Sequence, residues 1–241
     1  MSITVCTVSG KGGTGKSTVS SGLAIAAASR GISVLAIDLD AGLGCLDTIF
    51  DIDESVVFNL ADSLHGGDLK KAAYKAKHYD NISVVPAPAT TGKIDFVKLH
   101  ALIESVKNDY GLIILDFPAG ADFEAYSLFP EAVFLIVSGA DDISVKAAAV
   151  ISEGINENTT VRLIINRCDM DMITGGFYRN VDDLIDSSLT RLIGIVPADG
   201  ELLLLNRNHK IKPKGRAARA FDRILRRISG EEVRLPKLKR I

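Results

Sequence analysis

The sequence predicts a doubly wound α/β domain: a mainly parallel β-sheet with helices on both faces, in three layers. Short runs rich in β-branched residues alternate with longer helical patterns along the chain, the order that parallel β-α-β units need. Several runs are apolar without a break, as in Leu112-Ile113-Ile114-Leu115, and a strand reads that way when both of its faces are covered. The composition agrees, since 47% of the 241 residues are hydrophobic and 24% charged, which leaves little room for disorder.

Ile3–Val8 is the first strand-like run; it leads straight into a glycine loop, and a helical pattern over Lys16–Ser29 follows. Further strands are expected at Ser33–Asp38, Ile82–Pro86, Leu112–Asp116, Ala132–Val137, Val161–Asn166 and Leu192–Val196. Helices are expected at Phe96–Asn108, Ile143–Glu153, Val181–Ser187 and Lys214–Ile228. In the last of these, Ala217, Ala220, Phe221, Ile224, Leu225 and Ile228 form one apolar stripe at helical spacing. Arg216, Arg219, Arg223, Arg226 and Arg227 lie largely opposite, so the stripe should pack on the sheet. No Pro/Gly/Ser-rich linker interrupts the chain; residues 1–229 read as one domain and 230–241 as a short basic tail.

Cys6, Cys45 and Cys168 stand alone without a C-x-x-C pair, which fits neither a disulfide framework nor a zinc site and points to a reducing compartment. No leader of basic then apolar residues opens the chain, and no window approaches the roughly 18 continuous apolar residues of a transmembrane helix. A cytoplasmic protein is expected. Its net charge of −2 hides an asymmetry, because residues 210–241 hold twelve basic and three acidic side chains. Such a run is either a solvated helix face or a contact for an anionic partner.

Gly10-Lys11-Gly12-Gly13-Thr14-Gly15-Lys16-Ser17 fits G-x-x-x-x-G-K-[ST] and lies between an expected strand and an expected helix, the context a phosphate-binding loop requires. Glycines let the backbone turn so that successive N–H groups face phosphate oxygens, and the helix N-terminus adds a favourable dipole. Lys16 is expected on the β- and γ-phosphates and the Ser17 hydroxyl on Mg²⁺, with Thr18 a further nucleotide contact. Asp38 and Asp40 follow a buried strand on the ligand-binding edge of the sheet. Asp116 closes four apolar residues in the Walker B form and is expected to hold Mg²⁺ through water. Asp199 reads as the N-cap of a helix beginning near Gly200.

A second lysine inside the loop, Lys11, makes the pattern K-G-G-x-G-K-[ST]. With it the chain resembles the MinD/ParA family of deviant Walker A ATPases, from residue 1 to about residue 229. Asp38-Leu39-Asp40-Ala41-Gly42-Leu43 is similar to the family's switch I segment, and Asp116-Phe117-Pro118-Ala119-Gly120 is closer to the MinD wording than to that of ParA. The resemblance implies ATP/ADP and Mg²⁺ as cofactors, Asp38 near the metal, Asp40 on the attacking water, and Lys11 reaching across a nucleotide-sandwich homodimer to the partner's phosphates. Lys11, Lys16 and Asp40 would then be catalytic. Asn166-Arg167 resembles the family's adenine-contacting position, and Gly194-Ile195-Val196-Pro197-Ala198-Asp199 resembles the segment over the purine, which adds Pro197 to the nucleotide contacts.

Two departures stand out. Gly44-Cys45 replaces the Arg-Asn pair usual in MinD switch I, and Pro236 interrupts the alternation of Val233, Leu235, Leu238 and Ile241 with basic residues in the tail. The implied function is an ATP hydrolase, slow without a protein activator or cargo, that dimerises with ATP and acts in cell-division site placement. In that reading the tail holds it peripherally on the inner face of the cell membrane. The alternative is a ParA-like or flagellar-number regulator whose basic end binds DNA or a protein partner. An iron–sulfur carrier on the same fold is weakened by the lack of paired cysteines.

Overall fold

The computed structural model describes residues 2–169, 171, 175, 181–203, 205, 211 and 214–235. The strands are β1 (Ile3–Val8), β2 (Val34–Asp38), β3 (Tyr74–Ala76), β4 (Tyr79–Val85), β5 (Leu112–Asp116), β6 (Val133–Ser138), β7 (Thr160–Cys168) and β8 (Leu192–Pro197). The helices are α1 (Lys16–Ser29), α2 (Leu46–Ile49), α3 (Leu60–Gly66), α4 (Phe96–Val106), α5 (Phe123–Ser127), α6 (Asp142–Gly154), α7 (Val181–Ser187), α8 (Gly200–Leu203) and α9 (Arg216–Ile228). One sheet runs in the order β3-β4-β2-β5-β1-β6-β7-β8, parallel throughout except for the antiparallel edge pair β3/β4. The doubly wound parallel fold is the one the sequence predicts.

The unbroken apolar runs divide their residues between two cores. In β5, Leu112 and Ile114 join the cluster formed with α1 and α9, while Ile113 and Leu115 join the one formed with α4 and α6. The side-chain period of two thus persists inside a run with no polar residue, because both faces are covered. Within the first layer α1 and α9 meet at Gly22: a Cβ there would lie 2.3 Å from the Phe221 ring. The apolar stripe of α9 faces inward as expected, with Ala217, Ala220, Phe221, Ile224 and Leu225 buried.

Several boundaries differ from expectation. β3 has three residues, too few to show a period, and it draws the start of β4 back to Tyr79 from the expected Ile82. β7 runs past Asn166 to Cys168 through a register irregularity, so Asn166 is not its last residue and Arg167 lies inside the strand rather than beyond it. α4 stops at Val106, and a 3-10 turn over Lys107–Asp109 replaces its expected last turn. The short helices α2, α3 and α5 were not read from the sequence, while α8 is the helix expected to begin near Gly200. Asp199 does cap α8, since its Oδ1 accepts the Glu201 N–H at 3.0 Å.

Part of the basic end is engaged within the molecule. Arg226 pairs with Glu231 at 2.7 Å, the Arg227 Nε donates to the Val233 carbonyl at 2.7 Å, and Arg30 pairs with Asp222 at 2.6 Å. Leu238, Ile241 and Pro236 of the tail lie outside the described residues. Among the described residues no helix is long and apolar enough to cross a membrane.

Two glycines separate packing from propensity. Gly22→Ala should destabilise the fold by about 1–3 kcal/mol, the usual range for overpacking, because the Phe221 ring must move. Gly66→Ala in α3 meets nothing within 4 Å and should stabilise by about 0.5 kcal/mol. Urea unfolding of the two variants measures both signs.

Candidate active site

β1 ends at the centre of the sheet, between β5 and β6, and the glycine loop leaves it at the carboxyl edge. The loop needs its glycines for two distinct reasons. Gly13 and Gly15 have φ of 78° and 90°, which L side chains avoid. At Gly15 a Cβ would also stand 2.2 Å from the Asn166 Nδ2. At Gly10 the constraint is space alone, because a Cβ would come within 2.6 Å of the Ala147 carbonyl oxygen.

Asn166 and Arg167 brace this loop. The Asn166 Nδ2 donates to the Thr14 carbonyl at 2.8 Å and an Arg167 guanidinium nitrogen to the Gly13 carbonyl at 3.0 Å. In a trans peptide the carbonyl and the following N–H point in opposite directions, so holding these two carbonyls toward β7 turns the Thr14 and Gly15 N–H groups the other way. The Asn166 side chain thus supports the phosphate loop, while its Oδ1 is buried with no hydrogen bond. A groove of about 740 Å³ opens beside it, lined by Ser17, Thr18, Cys45, Asn166, Pro197 and Leu202 among others. That volume suits a nucleoside.

Three strands place a polar row at the bottom of the site. Parallel register sets Thr7 of β1 beside Asp116 of β5, and Asp116 beside Asp38 of β2. The two acids therefore lie one strand spacing apart, both 1% exposed. They are satisfied differently. The Asp38 Oδ1 accepts the Asp40 N–H at 3.0 Å, and its Oδ2 accepts those of Cys45 at 2.8 Å and Leu46 at 3.0 Å. The Asp116 Oδ1 accepts the Thr7 hydroxyl at 3.1 Å and the Ser20 hydroxyl at 3.0 Å, but its Oδ2 is buried and unpartnered.

Burial raises the Asp38 carboxyl above the usual carboxylate range against the pull of those three N–H groups. Asp116 is pushed up to about 7, first by burial and then by the charge of Asp38, with the Ser17 and Ser20 hydroxyls and the Lys16 ammonium opposing. A divalent cation fits here. The orphaned Asp116 Oδ2 and the Ser17 hydroxyl are hard oxygen donors of the kind Mg²⁺ takes. Both oxygens of Asp38 are already used, so it would act on a cation through water. Among the described residues no group of three His, Cys, Asp or Glu could hold a metal unaided. Phosphate oxygens would have to complete the shell.

Thr7 and Ser20 were missed in the sequence; Thr7 gave a signal, as a hydroxyl between the buried Cys6 and Val8, whereas Ser20 is one of several hydroxyl residues, with Ser17, Thr18 and Ser21, at the start of α1. The Gly44-Cys45 departure also finds a cause. A Cβ on Gly44 would stand 2.4 Å from the Ala87 Cβ and 2.9 Å from the Asp38 Oδ2, so a side chain there would push apart the loop that satisfies Asp38. The Cys45 thiol is pushed up to about 11, chiefly by burial.

Two predicted residues lie at the rim of the site. Asp40 is half-buried just past β2, beside a second groove that also contains Pro118. The Lys11 Nζ rests 3.7 Å from the Asp141 Oδ1 at the N-terminus of α6, with both side chains nearly half exposed. Gly120 of the β5 loop is tied to the phosphate loop by its N–H to the Ser9 carbonyl at 2.9 Å, and its own carbonyl accepts the Tyr126 hydroxyl at 2.9 Å.

The comparisons with known proteins agree with this geometry. The CobQ/CobB/MinD/ParA nucleotide binding domain model matches residues 5–211. Septum site-determining protein MinD of Helicobacter pylori is 31% identical, over 99% of this chain and 95% of that protein. The MinD of the MinC:MinD complex from Aquifex aeolicus superposes with a TM-score of 0.85 at 29% identity, covering 98% of this chain and 99% of that one. MinD of Pyrococcus horikoshii, solved with Mg-ADP, gives 0.78 at 26% identity, covering 95% and 96%. Glycine loop, acid pair, fold and relatives converge on one conclusion: the chain is a member of the CobQ/CobB/MinD/ParA nucleotide-binding family and resembles its MinD ATPases along nearly its whole length.

Proposed function

We propose that this chain is a Mg-ATP-dependent switch that pairs with a second copy across two nucleotides, hydrolyses ATP slowly until a protein partner stimulates it, and serves in placing the division septum. The observation that carries the reading is the buried, half-satisfied Asp116 beside Ser17 and Lys16 at the foot of the glycine loop. The relatives' roles as septum site-determining proteins support the process, and the Mg-ADP on the Pyrococcus protein supports the cofactors. The complex of the Aquifex protein with MinC supports a protein partner of that kind.

In this mechanism the loop N–H groups and Lys16 bind the β- and γ-phosphates, and the groove beside Asn166 and Pro197 takes the nucleoside. Ser17 and Asp116 would hold Mg²⁺, which would supply charge neutralisation at the phosphates. Asp40 orients the attacking water. Catalysis is then positioning and electrostatic stabilisation, which is what phosphoryl transfer demands of a protein. Lys11 leaves Asp141 to meet the phosphates of the neighbouring subunit, where facing like charges inside a low-dielectric interface need a cation from each side.

Asp116 makes a pH test available without nucleotide. Its folded pKa, about 7, lies above the usual carboxylate range, so between about pH 4 and pH 7 the folded protein keeps a proton that the unfolded chain has lost. Stability should therefore fall as pH rises through that window. Asp116→Asn should flatten the slope in urea titrations without Mg²⁺. An equal slope in the variant would assign the proton elsewhere.

Two substitutions test the switch itself. Asp40→Ala should keep ATP affinity while lowering phosphate release by about tenfold or more. Lys11→Ala in that slow background should bind ATP within about twofold of the parent, because Lys16 and the loop amides remain, yet sediment as a monomer. A Lys11→Ala protein that dimerises with unchanged affinity would end the sandwich reading.

A further inference from the structure

The proposed mechanism makes no use of the Tyr126 hydroxyl. The ring of Tyr126 is 3% exposed and set edge-on against Phe117 at 5.1 Å, Phe134 at 5.5 Å and Phe123 at 5.9 Å. Phe123 is lodged in turn over Gly154 of α6, where a Cβ would stand 2.1 Å from the ring. With the tyrosine ring held by three others, its hydroxyl is fixed where it donates to the Gly120 carbonyl at 2.9 Å. Burial pushes this phenol up to about 12, so it keeps the proton it donates across the neutral range.

Gly120 is a residue that needs such a partner. Its φ is 115°, a conformation that L side chains rarely adopt, yet a Cβ there would meet nothing within 4 Å. Glycine is required by the backbone and not by space, and by itself it could turn in many ways. Two hydrogen bonds remove that freedom, one on each side of its Cα. The Ser9 carbonyl accepts its N–H at 2.9 Å, and Tyr126 holds its carbonyl. Ser9, fully buried at the root of the phosphate loop, passes the constraint on, because its hydroxyl donates to the Lys11 carbonyl at 2.9 Å. A continuous line of hydrogen bonds thus joins α5 to the start of the phosphate loop.

We propose that Tyr126 is a positioning residue for the terminal phosphate: its hydroxyl, acting through Gly120 and Ser9, holds the part of the site that tells ATP from ADP. The proposal rests on the nucleotide-binding reading above and adds to it a residue of α5. The place of the contact gives the reason. The nucleoside groove lies at Asn166 and Pro197, toward β7 and β8, whereas Asp40 and the loop that carries Gly120 leave β2 and β5 on the other side of β1. A nucleotide with its base in that groove would turn its last phosphate toward Gly120, and ADP would stop short of it. At the opposite end, Asn166 and Arg167 brace Thr14 and Gly13 without help from Tyr126. Loss of the hydroxyl is therefore felt by the third phosphate and not by the first two.

Tyr126→Phe in the full chain removes one oxygen and leaves the ring in its packing. Calorimetric titration, which needs no turnover, should give an Mg-ADP affinity within about twofold of the parent. The preference for a non-hydrolysable ATP analogue over ADP should fall at least about fivefold, and kcat for ATP should fall by about the same factor. Ser9→Ala cuts the same line at its other end and should act in the same direction. Because the two residues work through one chain of contacts, the double variant should lose no more than the worse single variant. A merely structural role predicts a different result, a lower urea midpoint with both nucleotides weakened alike. That result, an unchanged preference and kcat in Tyr126→Phe, or additive losses in the double variant would each overturn the proposal. If the parent binds ATP but never hydrolyses it, the switch reading fails, while the preference for the analogue over ADP still decides the role of Tyr126.

Discussion

Two carboxylates held side by side, out of water, at the ends of adjacent parallel strands are the constraint around which the carboxyl edge is built. The β2/β5 register makes Asp38 and Asp116 neighbours, and burial of both charges would be costly without compensation. The surrounding loops supply it. The chain after β2 doubles back so that three of its N–H groups converge on Asp38, which fixes where Asp40 emerges. The Thr7 and Ser20 hydroxyls, hydrogen-bonded to each other at 2.6 Å, satisfy one oxygen of Asp116 and leave the other without a hydrogen bond. Most of what looks like loop sequence in this region is the solution to that electrostatic problem.

The same economy explains the glycines. Gly44 exists where a side chain would strike Ala87 and Asp38, and Gly15 where one would strike the amide that braces the phosphate loop. Each lets backbone approach a polar group closely enough to bond it or be bonded by it. At Gly44-Cys45 the departure from the usual Arg-Asn pair is therefore architectural here: with no side chain at residue 44, the N–H of residue 45 reaches Asp38.

Lys11 rests on Asp141, and the strength of that contact decides how readily the lysine could leave it for the neighbouring subunit of the proposed dimer. Its pairing with Asp141 is long and half exposed, the class of contact that contributes about 0–1 kcal/mol, so little free energy opposes its leaving. Asp141 loses little either, since it also accepts the Ser144 N–H at 2.9 Å and the Ser144 hydroxyl at 2.6 Å as the cap of α6. In the proposed dimer the lysine is thus exchanged between two acceptable partners rather than pulled from a stable site.

The sequence by itself determined the parallel doubly wound sheet, the phosphate loop between β1 and α1, the two acidic strand ends and the inward stripe of α9. All of these are local: periodicity and motif spacing follow from the geometry of a few consecutive residues. Only the tertiary structure decided that the Asn166 amide braces Thr14 across 152 residues, that Thr7 and Ser20 share Asp116, and that Lys11 rests on Asp141. It also decided the three-residue β3, which has too few residues to show a pattern and forms because β4 offers it an edge. These contacts depend on register and on which strands become neighbours, and a chain read one residue at a time carries that information only in the sum of its packing.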